Sequence, residues 1–142
     1  MVEVQKNIID AEGAVLGRIS TLVAKRLLLG ETVVVVNADK VVISGKPDTT
    51  KAFYRHRRER GDPHKGPYFP RYPDRLLKRT IRGMIPAKTP RGRDALSRLT
   101  VFINCPVQFA GKAVKPEVKR VNELKCKYMT MGALCKHLGA KV

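Results

Sequence analysis

The sequence is short of negative charge. Twelve Asp and Glu stand against 29 Lys and Arg in 142 residues, a formal net charge of +17 with the three His neutral. The acids are scattered, and no carboxylate pair suited to acid–base hydrolysis stands out. Cysteine is scarce too. Cys105, Cys126 and Cys135 form an odd set with no close pair, which fits a reducing compartment and speaks against a disulfide framework. Cys126 and Cys135-Lys136-His137 lack the paired spacing of a zinc site, so no metal ligands are assigned. Long apolar runs are missing. The longest obvious one is Val33–Val36, far short of the roughly 18 residues of a membrane span. Met1-Val2-Glu3-Val4-Gln5-Lys6 has no basic-then-apolar leader pattern, and the chain is expected to stay in the cytosol.

What is present is a basic chain able to build a core. At this length a single domain over 1–142 is expected. A hydrophobic content of 43% argues against wholesale disorder. The charge implies a polyanionic partner, and it is unevenly spread. Residues 46–93 hold 15 basic and 4 acidic residues, a net of +11, with seven of the nine prolines and five of the eight Phe and Tyr. The ends read as an ordinary fold, the middle as a binding surface.

Asn7–Asp10 reads as a short buried strand. Leu16, Ile19, Val23 and Leu27 recur at helical spacing before Gly30, and β-branched Thr32–Val36 suits a strand covered on both faces. Strand, helix and strand within about thirty residues make a βαβ unit with parallel neighbours. Asn37–Lys40 then turns the chain into Val41–Ser44, and so short a connection makes this third strand antiparallel or irregular. Pro47 opens a helix to about Arg60. A proline-stiffened loop fills 61–73, helix returns over Asp74–Met84, and Thr89-Pro90 starts another helix ending near Leu99. Thr100–Ile103 is the last clear strand. Residues 105–127 give no clear signal. Thr130 caps a final helix with Met131, Leu134, Cys135 and Leu138 on one face and Gly139 as its stop.

The helix over 74–84 has two faces. Leu77, Thr80, Ile81 and Met84 lie on one side, and Arg75, Lys78, Arg79 and Arg82 on the other. Solvated faces normally mix signs, but here only Asp74 is near, which favours phosphate contact. In the helix over 46–60, Lys51, Arg55 and Arg58 share a face that Arg57 and Arg60 widen; only Ala52, Phe53 and Tyr54 offer apolar area. So many like charges repel one another unless a polyanion lies against them. Guanidinium forks can grip phosphate or lie flat on a base. The loop adds Lys65 and Arg71 among Tyr68, Phe69 and Tyr72, rings that either stack on unpaired bases or staple the loop to its own domain. Lys88, Arg91 and Arg93 flank a helix start that suits phosphate. His56 and His64, set among arginines, read as further phosphate contacts and not as general bases.

Enzyme patterns are weak. Gly13-Ala14-Val15-Leu16-Gly17-Arg18 follows a strand and opens a helix, yet matches neither phosphate-loop pattern. Its glycines suit the turn and helix packing better than a cofactor, so no cofactor and no catalytic residue is assigned. The rival readings are a small nucleotide-binding α/β enzyme using that turn, and a basic DNA-compacting protein.

Several segments carry a resemblance. They are Leu16-Gly17-Arg18, Val35-Val36-Asn37-Ala38, Ile43-Ser44-Gly45, and above all Arg79-Thr80-Ile81-Arg82-Gly83-Met84-Ile85-Pro86 followed by Lys88 and Arg91-Gly92. Through them the chain resembles the universal large-subunit ribosomal protein of the L-thirteen family, over nearly its whole length. The resemblance implies a three-layer α/β/α fold around a mixed four-stranded sheet, with basic helices and loops. It implies a non-catalytic, structural role in the large subunit, in the cytoplasm, with large-subunit ribosomal RNA and neighbouring ribosomal proteins as partners. It carries RNA contact onto Arg18, onto the helix from Lys51 to Arg60, and onto Arg79, Arg82, Lys88, Arg91 and Arg93. The basic central helix, the Pro/aromatic loop and the short C-terminus resemble the archaeal branch.

Overall fold

A computed structural model describes residues 6–142, and the leader reading of the first residues lies outside them. The elements run β1 (Lys6–Asp10), α1 (Leu16–Leu28), β2 (Thr32–Val36), β3 (Val42–Ser44), α2 (Pro47–Glu59), α3 (Pro73–Gly83), α4 (Pro90–Ser97), β4 (Leu99–Val101), β5 (Tyr128–Thr130) and α5 (Met131–His137). This is a mixed α/β fold.

The βαβ unit forms as its pattern predicts. Leu16, Ile19, Val23 and Leu27 are all buried, and β1 pairs parallel with β2 from Lys6–Thr32 to Asp10–Val36. Val33–Val36 are buried in succession, as expected for a central strand. On the other edge β2 pairs parallel with β4. The ladder with β4 begins a residue earlier than the sequence suggests, at Leu99, and Phe102 continues it by donating to the Val35 carbonyl at 2.8 Å.

The single mixed sheet of four strands is not what forms. There is a three-stranded parallel sheet, β1-β2-β4, and a separate antiparallel pair, β3-β5. The reason lies in which edges are open. Both edges of β2 are taken by β1 and β4. Asn37 adopts a left-handed conformation (φ 58°) and donates to Asp10 Oδ1 at 2.8 Å, and a short 3-10 turn over Ala38–Lys40 leads the chain out of the sheet. Asn is among the few residues that tolerate this backbone. Val42 then bonds to the Ala14 carbonyl at 2.9 Å, and β3 finds its partner in β5, a three-residue strand too short to show a period.

The segment without a sequence signal proves to be a cover. Val114 exchanges hydrogen bonds with the backbone of Ile8 and Asp10 (3.0 and 2.9 Å), closing the free edge of β1. Val15 and Gly13 bond to Lys119 and Val121, and the Arg120 guanidinium donates to the Glu12 and Pro116 carbonyls. An exposed strand edge invites pairing with other chains, so a cover of this kind protects the monomer. No residue in it has helical or alternating periodicity, because its work is done by backbone groups.

Helices α3 and α5 add their buried faces to the core. Leu77 and Ile81 are fully buried as expected, and Leu76, outside the expected stripe, is buried with them. Met84 departs from the expected stripe: it caps the end of α3, stays 42% exposed and lies against Thr21 of α1. Met131, Leu134, Cys135 and Leu138 of α5 are buried, and Thr130 accepts from the Ala133 amide at 3.4 Å. Burial pushes the Cys135 thiol up to about 12, with the Asp74 carboxylate adding to the shift. Cys135 is therefore a neutral, apolar core residue.

Candidate nucleic-acid interface

Helix α2 has no fully buried residue, so its docking depends on a few side chains. Tyr54 packs half-buried against the core, and burial pushes its phenol up while Arg57 partly offsets this. Arg55 meets His137 Nε2 at 3.0 Å, and the Arg58 guanidinium donates to the Leu138 carbonyl at the end of α5. Cations at a helix C-terminus complement its dipole. On the face that carries Lys51, Arg55 and Arg58, Lys51 is half-buried, while Arg55 and Arg58 stay exposed and also hold α2 to the body.

A different pair points outward. Phe53 is 52% exposed, and the Arg57 guanidinium sits over its ring at 4.6 Å. The same arrangement recurs on the loop, where Arg79 of α3 sits over Phe69 at 4.9 Å. Phe69 also meets Tyr54 at 6.0 Å and packs on the core. So Phe69 staples the loop, while Tyr68 remains largely exposed. These ring–guanidinium pairs are not among the sequence expectations. Phe53 and Arg57, four residues apart on a helix, could have been found by spacing; Phe69 and Arg79 could not.

The four cations of α3 are exposed opposite its buried face, as predicted. Arg75, Lys78, Arg79 and Arg82 line one cleft with Pro70 and Leu96. Arg79 and Arg82 also border the next cleft, where they meet Lys88 on the turn after α3. That turn is tight: Thr89 Oγ1 donates to the Pro86 carbonyl at 2.8 Å and accepts from the Gly92 amide at 3.2 Å. Arg60 joins Arg57 and Arg79 around the Phe69 side of the loop, and Arg71 lies beside Gly139 near Arg58. Lys65, Arg91 and Arg93 are exposed. Arg18 lies apart from α2 and the loop, in a cleft with Lys25 and Lys119.

Carboxylates form no ion pair on this surface among the described residues. Among the described residues, the ion pairs are Glu12 with Lys40 (3.1 Å) and with Lys115 (3.8 Å), both outside 46–93. The basic residues of 46–93 therefore have no ion-pair partner among the described residues. In the turn at Gly13–Arg18, the amides of Gly13, Ala14 and Val15 donate to Lys40, Ala11 and Lys119 carbonyls at 3.1 Å. Gly17 has nothing within 4 Å of where a Cβ would stand, so it serves no close helix packing.

The family model for ribosomal protein L13 matches residues 5–108. The large ribosomal subunit protein uL13 of Methanosarcina barkeri is 47% identical over 94% of this chain and 98% of its own length. Those of Methanocaldococcus jannaschii (46%, with 94% and 98% covered) and Archaeoglobus fulgidus (45%, with 93% and 86% covered) are similar to the same extent. The chain belongs to the ribosomal protein L13 family.

Proposed function

We propose that this protein is a non-catalytic, structural constituent of the large ribosomal subunit in the cytoplasm, where it binds and organises large-subunit ribosomal RNA. One observation carries the reading beyond family membership: the cations of 46–93 have no carboxylate partner among the described residues. A surface with so much uncompensated charge is stabilised when phosphates replace the missing anions. The body is a single domain and a platform. Its three-layer arrangement is supported by the burial of Val33–Val36, which requires cover on both faces of the sheet. The contacts proposed are Arg57, Arg60, Arg75, Lys78, Arg79, Arg82 and Lys88 in a contiguous patch, with Lys65, Arg71, Arg91 and Arg93 at its margins and Arg18 on a separate face. Lys51, Arg55 and Arg58 are proposed as further contacts, Arg55 and Arg58 also seating α2. Neighbouring ribosomal proteins are the further partners.

The deep major groove of A-form RNA is closed to side chains, so recognition runs through backbone, shape and unpaired bases. With roughly ten phosphates contacted, affinity for a structured large-subunit RNA fragment falls about 10³- to 10⁵-fold between low and physiological salt. Filter binding across a salt series reads this directly. A flat salt response, or equal affinity for duplex DNA at matched salt, would overturn the proposal.

A further inference from the structure

We infer that the cleft between the end of α2, the 61–72 loop and α3 holds one unpaired RNA nucleotide, its base stacked and its phosphate gripped. This rests on the RNA-binding reading and adds a ligand to one place on it. The cleft has a volume of about 580 Å³ and is lined by Arg57, Arg60, Gly61, Pro67, Phe69 and Arg79. That lies within the range of small-ligand sites, roughly 300–1,000 Å³. Three guanidiniums face it and no carboxylate does. The neighbouring cleft across the loop differs, because Glu59 and Asp62 line it and its Arg58 is bound to α5.

The chemistry of the walls is specific. Arg79 is held over Phe69 and Arg57 over Phe53, at 4.9 and 4.6 Å. A guanidinium seated on a ring presents its opposite face to a further planar group and its N–H edge to an anion. A nucleotide supplies both, and a bare phosphate or an apolar peptide supplies one or neither. Bases inside a duplex cannot reach a concave slot, so the nucleotide must be splayed out of its stack. The loop wall is already closed. Asp62 and Gly66 exchange backbone bonds at 3.1 and 2.8 Å, the His64 amide donates to Asp62 Oδ1 at 2.8 Å, and the Tyr68 hydroxyl donates to the His64 carbonyl. Gly61, at φ 95°, lies so close to Gly66 that a Cβ would stand 2.4 Å from its carbonyl oxygen. A wall fixed in advance loses little entropy on binding.

Two RNA hexamers of equal charge test this on the full chain: fluorescein-labelled hexa-adenylate and its abasic counterpart, followed by fluorescence anisotropy. Hexa-adenylate is expected to bind about tenfold more tightly, in line with base–aromatic stacking. Arg79→Lys and Arg57→Lys keep the charge but lose the planar platform, and each shrinks that ratio to below about threefold. A ratio near one in the unaltered protein, with both hexamers bound in a salt-dependent way, would overturn the slot and leave the electrostatic reading standing. An undiminished ratio in both lysine variants would place stacking elsewhere and also overturn it. No binding of either hexamer or of large-subunit RNA would remove both.

Discussion

Reversing Arg79 and Arg82 together to Glu lowers affinity for large-subunit RNA by about 10² to 10⁴ and leaves the fold standing. The two side chains are exposed on α3, and both border the clefts that run from Pro70 to Lys88. A hydrogen bond to a charged group contributes about 1.5–3 kcal/mol, so losing two corresponds to a factor of about 10² to 10⁴. The slope of log affinity against log salt becomes shallower by about two units or more, since two phosphate neutralisations disappear and two repulsions replace them. Stability is little affected, because neither residue is ion-paired among the described residues. The exception is the Arg79 contact with Phe69, about 0.5–1 kcal/mol at an exposed site. Binding isotherms and thermal melts of one preparation separate the two effects. Collapse of the fold would mean that these arginines bridge the core and that α3 has been read with its faces reversed.

The largest expected loss of stability comes from a residue with no side chain. Gly92 is buried at the start of α4, and a Cβ there would stand 2.0 Å from the Pro86 carbonyl oxygen and 2.5 Å from its carbon. Backbone cannot swing aside as a side-chain tip can. Gly92→Ala must therefore open the turn, break the Thr89 bonds to Pro86 and to residue 92, and displace α4, whose Ala95 is fully buried. Overpacking of this kind costs about 3 kcal/mol, which lowers the melting temperature of a domain this size by about 10 °C. Gly17→Ala is the control. Its added methyl meets nothing within 4 Å, and it stabilises the exposed first turn of α1 by about 0.5 kcal/mol. Equal melting temperatures for the two variants would contradict the close approach at Pro86.

The parts legible in the sequence are those where one local rule acts alone. The α1 stripe, the βαβ pairing, the Thr89 and Thr130 caps and the charged face of α3 follow from spacing and capping, and the structure carries all of them. Where several elements compete for one edge, the pattern fails. The sequence of β3 is compatible with joining the main sheet, but β1 and β4 already occupy β2, and β3 pairs with β5 instead. The cover over β1 is invisible in the sequence because backbone amides make it. On α2 the spacing of cations does not reveal that the C-terminus of α5 is also a negative partner, to which Arg58 donates. The outward site is made instead by Phe53–Arg57 and Phe69–Arg79, the second pair joined across a loop.

The scarcity of acids in the sequence has a structural counterpart. Asp48, Glu59, Asp62 and Asp74 lie within the basic segment, yet none forms an ion pair among the described residues. The surface is left uncompensated over an ordered, aromatic-backed set of clefts. Such a surface belongs inside a ribonucleoprotein, where phosphate supplies the missing charge.

Sedimenting ribosomes from the source cell through a high-salt cushion, and measuring this protein in each fraction, tests that placement most directly. Salt strips proteins held by surface charge alone, whereas a constituent enclosed by folded RNA is held by shape and stacking as well. The expected result is that the protein stays with the large subunit at a stoichiometry of about one copy each, as a structural constituent must. Release into the supernatant at salt that leaves the subunit intact, or recovery with free nucleic acid and not with the subunit, would contradict it.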